Sequence, residues 1–588
     1  MTSEAASIRS REESPNRRGA AILALGVAIA ATAWYLNALP GGLVYDDRIV
    51  IGESDIVKDH DAWRAFATPY HHGARLPMAT GLYRPLAIVT FVANHAIHAE
   101  APLGYHAVNV VLHAMVSAAL VGLALALGLP RGAAAAGALL FAVHPVHVEA
   151  VAGIAGRADL LAALFFVLAL AVYVRGVGAA RATVAAALSL LAMLSKESAV
   201  VFPAVVLAYE VVMRRGAVAV GPTVGRLAIV LAPLAPYAVL RWNALGTLLP
   251  PLASVTAIEN PVVGLDLAQR WATVLGVSAR AVGLMLFPWR LSPDYGFAEI
   301  VPVTSVLDPW FLAGAACASV LVAGVAISAR RAPRIAFLLL LSLGCYAVVS
   351  NAFVVIGTIL GERLLYLPSV GACLLAGLAW DGLRSVAGKR FAVVLAVIVI
   401  SLAAVRTWTG SAAWRSDLTL FTAAARSTPR SVRVLGSLGT QLAVQGRFPE
   451  ARKLLEEAIA IAPRFAPNHI TLAGVLLHEG RLEEAETEAR AAVELDSRNP
   501  IPHAQLGMVL RKEGDEQGAL RAFEAALAVD PSFVDAHLNI AEIHFGRGDL
   551  DAAERSIDAA LEADPASPGA LRGREILRAL RAGTPSTE

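Results

Sequence analysis

Cysteine is nearly absent, with three in 588 residues. Cys317, Cys345 and Cys373 all fall inside apolar segments, which excludes a disulfide framework and a cysteine zinc site. No GxxxxGK[ST] loop is there to cradle a nucleotide phosphate, and no serine or cysteine elbow offers a nucleophile. Charge is scarce too, at 16% of residues. The balance of +2 carries no nucleic-acid signature, because the first 400 residues are charge-poor and the last 160 charge-rich. What is abundant is hydrophobicity: 57% of residues and a mean hydropathy of +0.60, too apolar for a soluble chain of this size.

A membrane-crossing helix needs about 20 mostly apolar residues. Long candidates are 19–38, 105–128, 158–176, 226–245, 309–329, 335–355, 364–384 and 391–408, with shorter ones at 133–147, 182–195 and 198–213. The predicted fold is all-α, a polytopic bundle of about eleven membrane helices followed by a helical solenoid. Arg9, Arg11, Arg17 and Arg18 precede the first segment, which reads as a retained anchor because no small-residue cleavage site follows it. By the positive-inside rule these arginines are cytoplasmic. So, by alternation, are Arg131, Arg175/Arg181, Arg214/Arg215/Arg226, Arg330/Arg331/Arg334 and Arg384/Lys389/Arg390. Residues 268–288, interrupted by Arg270 and Arg280, are expected as a partly buried or re-entrant helix within an outer loop, 246–308. The other large outer loop is 39–104, and everything after about Arg406 lies outside.

From Val432 a period of 34 residues sets in. Gly439, Ala473, Gly507 and Ala541 form one column, Ala451, Ala485, Ala519 and Ala553 a second, and Ala458, Ala492, Ala526 and Ala560 a third. Pro463, Pro531 and Pro565 form a fourth, with Ser497 in the remaining copy. Small residues where two helices cross, and a helix-ending proline before the next unit, are the tetratricopeptide pattern. The expected organisation is a cytoplasmic tail 1–18, a membrane domain 19–408, a linker or half repeat 409–431, four repeats 432–567, and a capping helix with tail 568–588. Residues 432–567 hold 13 Lys or Arg and 23 Asp or Glu, a net −10, and such a groove suits a protein or peptide partner; a solvated acidic face is the plain alternative.

The ionisable residues of the membrane region gather at segment ends, on the side assigned as outer. GGLVYDDRIV places Asp46 and Asp47 just past the first helix. Arg84 follows Tyr83 before an amphipathic stretch. His106, Asn109 and His113 share one helix face, as core residues would. HPVHVEAVAGIAGRADLL brings His144, His147, Glu149, Arg157 and Asp159 to one boundary, and such groups at membrane depth face a wet cavity. HxxH with a carboxylate is a weak metal signal here. Lys196 and Glu197 sit between two short apolar segments, either as a self-satisfied pair or as a phosphate contact. GERLLYLPSVG supplies Glu362, Arg363 and Tyr366. Asn260 and Pro261, and Asp294 and Tyr295, are lid elements or turn residues.

Carboxylates with several cations, and no nucleophile, suit transfer of a sugar from a lipid-linked phosphate. Such a donor already carries its leaving group. The step needs a carboxylate base for the acceptor hydroxyl and cations to hold the departing phosphate. Asp46 or Asp47 is the candidate base, and Arg84, Arg157, Lys196 and Arg363 the candidate clamp. His144, His147, Glu149, Asp159, Glu197, Glu362 and Tyr366 are candidate supports. No metal ligand set is assigned, and a divalent ion stays open as an auxiliary.

The motifs YDD, YRPL, HPVHVEAVAGIAGRADLL, LSKES, ENPVV with SPDYGF, and GERLLYLPSVG, in that order and followed by repeats, resemble the transmembrane and tetratricopeptide repeat-containing O-mannosyltransferases, a branch of the GT-C membrane glycosyltransferases. The resemblance implies a polyprenyl-phosphate mannose donor, a Ser/Thr protein acceptor and extracytoplasmic repeats. It places the catalytic carboxylate in the first outer loop, at Asp46 or Asp47, and matches Glu362, Arg363 and Tyr366 to an ERxxY stretch. Animal members have more repeats, and the alanine-rich composition points to a bacterial member, whose repeats lie in the periplasm and whose bundle sits in the inner membrane. A membrane-anchored repeat scaffold for envelope assembly is the alternative; a flippase fits less well, because mid-membrane charges and internal halves are missing.

Overall fold

In the computed structural model residues 3–72, 81–214, 220–249 and 255–581 are described. Arg215, the loop stretches 73–80 and 250–254 and the tail 582–588, all part of the sequence reading, lie outside the described residues. The chain divides into two compact units, Met1–Thr428 and Pro429–Glu588.

Helices dominate the first unit, and no strand occurs among the described residues. Among the described residues six helices are long and apolar enough to cross a membrane: Arg18–Ala38, Pro102–Ala126, Ile154–Val174, Gly221–Leu245, Pro309–Arg331 and Lys389–Ala413. A seventh span arises if Arg131–Ala142 and Pro145–Ala152, bent by 48°, count as one. The expectation of about eleven spans is not confirmed, because several of the expected segments form helices too short to cross. Ala179–Ser195, Phe202–Met213 and Pro333–Ala347 have 17, 12 and 15 residues, below the roughly 20 that span a bilayer. Residues 268–288 form one helix, Leu267–Leu286, outside that set of six. Its Arg270 donates to the carbonyls of Asn351 and Ala352, and Arg280 lies 4.1 Å from the Trp310 ring centroid.

The bend at Pro145 determines where several polar side chains lie. Proline lacks an N–H and drives the preceding residue out of the helical region, and His144 indeed has φ −71° and ψ 124°. The helix therefore stops at Ala142, leaving carbonyls without intrahelical donors. No water reaches such groups inside a bilayer. Three side chains replace it. His147 Nδ1 reaches Phe141 O at 2.8 Å, His113 Nε2 reaches Ala142 O at 3.0 Å, and Thr407 Oγ1 donates to Val143 O at 2.7 Å.

In the second unit, helix pairs repeat in step with the sequence period. They run Val432–Val444 with Phe448–Ile461, Ala466–His478 with Leu482–Leu495, Pro500–Glu513 with Glu516–Val529, and Val534–Gly546 with Leu550–Ala563; Pro568–Arg581 follows. The alanine columns are fully buried at the crossings. Each turn inside a pair uses a glycine with positive φ, namely Gly446, Gly480, Gly514 and Gly548.

Elsewhere two membrane-unit helices touch backbone to backbone. A Cβ on Gly377, in Ser369–Val386, would lie 2.2 Å from Ala133 O; one on Gly137 would lie 2.8 Å from Cys373 O. Small residues permit this approach, which packing alone drives in lipid. Gly377→Ala must force the helices apart, at about 1–3 kcal/mol, the usual cost of overpacking. Gly382, on the same helix, faces open space. We expect Gly377→Ala to lower the thermal midpoint in detergent and Gly382→Ala to hold or raise it. Equal midpoints for the two variants would refute the seam.

Candidate active site

The turn after the first long helix is built around a strained residue. Tyr45 has φ +57°, the left-handed region that a bulky side chain disfavours. The turn sends the next two carboxylates different ways. Asp47 points inward and is 1% exposed. Its Oδ1 accepts from Ala155 N at 2.7 Å and its Oδ2 from Val44 N at 3.2 Å, fastening the loop to the start of the Ile154–Val174 span. Burial pushes the Asp47 carboxyl up to about 7, against the pull of these amides. Asp46 stays 30% exposed and meets Arg363, Nη1 to Oδ2, at 2.9 Å.

Arg363 is itself gripped by Glu149. Its backbone N–H donates to Glu149 Oε2 at 2.8 Å, and its Nε lies 3.3 Å from Glu149 Oε1. The remaining cations are paired as well. Lys196 does not pair with its neighbour Glu197; its Nζ lies 2.6 Å from Asp159 Oδ1. Glu197 instead takes Arg84 in a two-point pair, at 3.0 and 2.6 Å. Burial lowers the Lys196 ammonium, and Arg84 and Arg363 lower it further while Asp159 opposes them. Glu197 is held down at about 2: burial alone would raise it, but the charge of Arg84 wins. Asp46, Glu149, Asp159, Arg84, Lys196, Glu197 and Arg363 therefore form one mutually interacting cluster.

Other sequence candidates have different surroundings. Arg157 is fully buried, stacked 4.5 Å from the Phe91 ring centroid. Its Nε donates to Asn109, its Nη1 to Thr90 O and Asn94, and its Nη2 to Tyr105 O. That guanidinium ties helices together and offers no face to a phosphate. Nor do the HPVH histidines face the charged cluster: His147 holds Phe141 O and Ser369, and His144 Nε2 meets Met285 O. Tyr366 bonds His113 through its hydroxyl, at 2.7 Å. Glu362 accepts from Ser292 N and the Tyr295 hydroxyl, anchoring the SPDYGF loop. Asn260 accepts from Val262 N and donates to Asn351, and Asp294 accepts from Gly296 N, so both motifs do turn work. Among the described residues no three His, Cys, Asp or Glu side chains gather to hold a metal ion.

Two residues of the loop that precedes Arg84 were not read from the sequence. The Arg84 guanidinium lies 5.2 Å from the Tyr70 ring centroid, and Tyr70 and His71 both feel the charges of Asp46, Arg84 and Arg363. Their only sequence signal is an aromatic pair after Pro69. Beside the HPVH break, an apolar cleft of about 540 Å³ is lined by Leu140, Met285, Phe287, Val399 and Leu402, with Arg406 among its walls.

A bundle of apolar helices, a paired-charge cluster at helix ends and an array of helix pairs define a multi-pass membrane protein with tetratricopeptide repeats. Tetratricopeptide repeat models match residues 442–505 and 505–568. Over most of its length the chain is similar to protein O-mannosyl-transferases of the TMTC family. Protein O-mannosyl-transferase TMTC4 of Homo sapiens is 31% identical over 484 residues, covering 72% of this chain and 64% of its own. TMTC3 of Mus musculus is 28% identical, covering 76% and 52%, and Tmtc1 of Drosophila melanogaster is 29% identical, covering 76% and 62%. The chain thus spans between about half and two thirds of the length of these curated relatives. Among solved structures, a thermophilic tetratricopeptide protein of Thermus thermophilus aligns at TM-score 0.26 and 22% identity, covering 31% of this chain and 95% of its own.

The Asp47 shift gives stability a pH dependence. A carboxyl raised from 3.8 to about 7 binds its proton more tightly when folded, so its contribution is full below pH 4 and is lost as pH rises towards 7. We expect the melting temperature in detergent to fall between pH 5 and 7, and Asp47→Asn to flatten that fall. An unchanged slope in the variant would show that Asp47 is ionised throughout.

Proposed function

We propose that the chain is a membrane glycosyltransferase that moves a sugar, mannose or another hexose, from a polyprenyl-phosphate donor to a Ser or Thr hydroxyl of an extracytoplasmic protein. One observation carries this reading: the accessible Asp46 carboxylate pairs with Arg363, inside a cluster that also holds Lys196 and Arg84, at the ends of membrane helices. The relatives' shared name, protein O-mannosyl-transferase, supports glycosyl transfer to protein.

In this reading Asp46 is the base, while Asp47, buried and bonded to two amides, shapes the loop. The acceptor hydroxyl gives its proton to Asp46 as its oxygen attacks the anomeric carbon. The bond from that carbon to the phosphate oxygen breaks, and its electron pair leaves with the polyprenyl phosphate. Attack opposite the leaving group inverts the anomeric centre. Arg363, Lys196 and Arg84 balance the charge that grows on the phosphate, and Glu149, Asp159 and Glu197 hold those cations until the donor arrives. The apolar cleft suits the polyprenyl tail, and the acidic repeats suit the protein acceptor. In this placement the N-terminus is cytoplasmic, the bundle sits in an inner membrane and the repeats are periplasmic.

The test uses the full chain in detergent or nanodiscs, with polyprenyl-phosphate mannose and a pool of Ser/Thr peptides. Asp46→Asn should reduce transfer by about 10²–10⁴-fold, the usual worth of a general base, with folding intact. Undiminished transfer rejects Asp46 as base. A wild-type chain that transfers no hexose, yet retains envelope proteins on its repeats, replaces this reading with the scaffold.

A further inference from the structure

Helix Asp417–Ser427 falls in the stretch read from sequence as half a repeat, yet it belongs to the first compact unit. Its first residue grips the turn that carries Asp46. Asp417 Oδ1 accepts from Tyr45 N at 2.8 Å, and Asp417 Oδ2 lies 2.5 Å from Arg48 Nη2. The two residues it holds bracket the Asp46–Asp47 pair. Gly42 N donates to Arg415 O just before the helix, and the Tyr45 and Phe421 rings meet edge-on at 5.8 Å. At the other end, Thr428 Oγ1 lies 2.8 Å from Ser292 Oγ, in the loop that Glu362 anchors.

We propose that Asp417 is a positioning residue for Asp46, and that helix Asp417–Ser427 is a strap holding the first outer turn against the SPDYGF loop. The inference rests on the transferase reading. A left-handed tyrosine relaxes unless its surroundings hold it. The amide of Tyr45 is what Asp417 holds, and at 5% exposure the Asp417 carboxylate does so with little competition from water. Release of Tyr45 swings the next residue, Asp46, off Arg363. Misplacement of a reacting group by about 1 Å costs on the order of 10²-fold in rate. The loss should appear in kcat, because the cations that bind donor are held by Glu149, Asp159 and Glu197, none of which Asp417 touches.

The test compares wild type, Asp417→Asn, Asp417→Glu and Arg48→Gln in the full chain, by transfer kinetics and by backbone hydrogen exchange over residues 41–50. Asp417→Asn should lower kcat at least tenfold, leave KM for the polyprenyl-phosphate sugar no higher than in wild type, and speed exchange at Tyr45. Asp417→Glu should recover part of kcat. If Asp417→Asn fails to fold, Arg48→Gln decides, with a smaller loss in the same direction, since Arg48 is half-exposed. A folded Asp417→Asn with wild-type kcat and wild-type exchange overturns the strap alone. An inactive wild type overturns the transferase reading and the positioning role with it, while exchange still shows whether the strap exists.

Discussion

Backbone groups and charges next to lipid must find partners within the chain. This constraint organises the membrane unit. A helix broken at Pro145 is stable in such surroundings only because His147, His113 and Thr407 take the carbonyls that the break exposes. The break bends the chain by 48°, and the short helix beyond it carries Glu149 to Arg363. The same rule governs the charges: every clamp cation keeps a carboxylate, and the buried Arg157 keeps four acceptors.

A self-paired cluster sets how substrate must bind in the proposed reaction. A phosphate arriving at Arg363 competes with Asp46 for the same guanidinium. When it wins, the carboxylate loses its cation as the donor is seated and becomes a stronger base at that moment. Glu149 remains behind Arg363, so the cation does not swing away with its new partner. Binding and activation are then one exchange of ion pairs, with little net charge to desolvate.

The sequence made the main outlines readable for physical reasons. Apolar runs and a 34-residue period are strong statistical signals, and both units follow them. Asp46, Lys196, Arg84 and Arg363 stood out because ionisable groups at apolar boundaries are expensive. The same argument flagged Arg157, His144 and His147, and it does not separate a group facing substrate from one capping a carbonyl. That distinction depends on where the chain breaks in space. Lys196 and Glu197 looked like a pair because they are neighbours, yet their side chains diverge to Asp159 and Arg84, 37 and 113 residues away. Asp417 was hidden by its setting: the columns that mark a half repeat say nothing about an aspartate at the helix start. Span number was least legible, since helices interrupted by proline or shortened by polar turns keep the hydropathy of a span without its length.

The glycine seam between Arg131–Ala142 and Ser369–Val386 has a mechanical consequence. With no side chain between the two backbones at Gly137 and Gly377, there is no lubricating layer for one helix to slide along the other. The pair behaves as a single beam, and an acyl chain cannot wedge into it. Any sideways opening towards the bilayer has to occur along a looser edge, such as the apolar cleft that Phe287 and Val399 help to line.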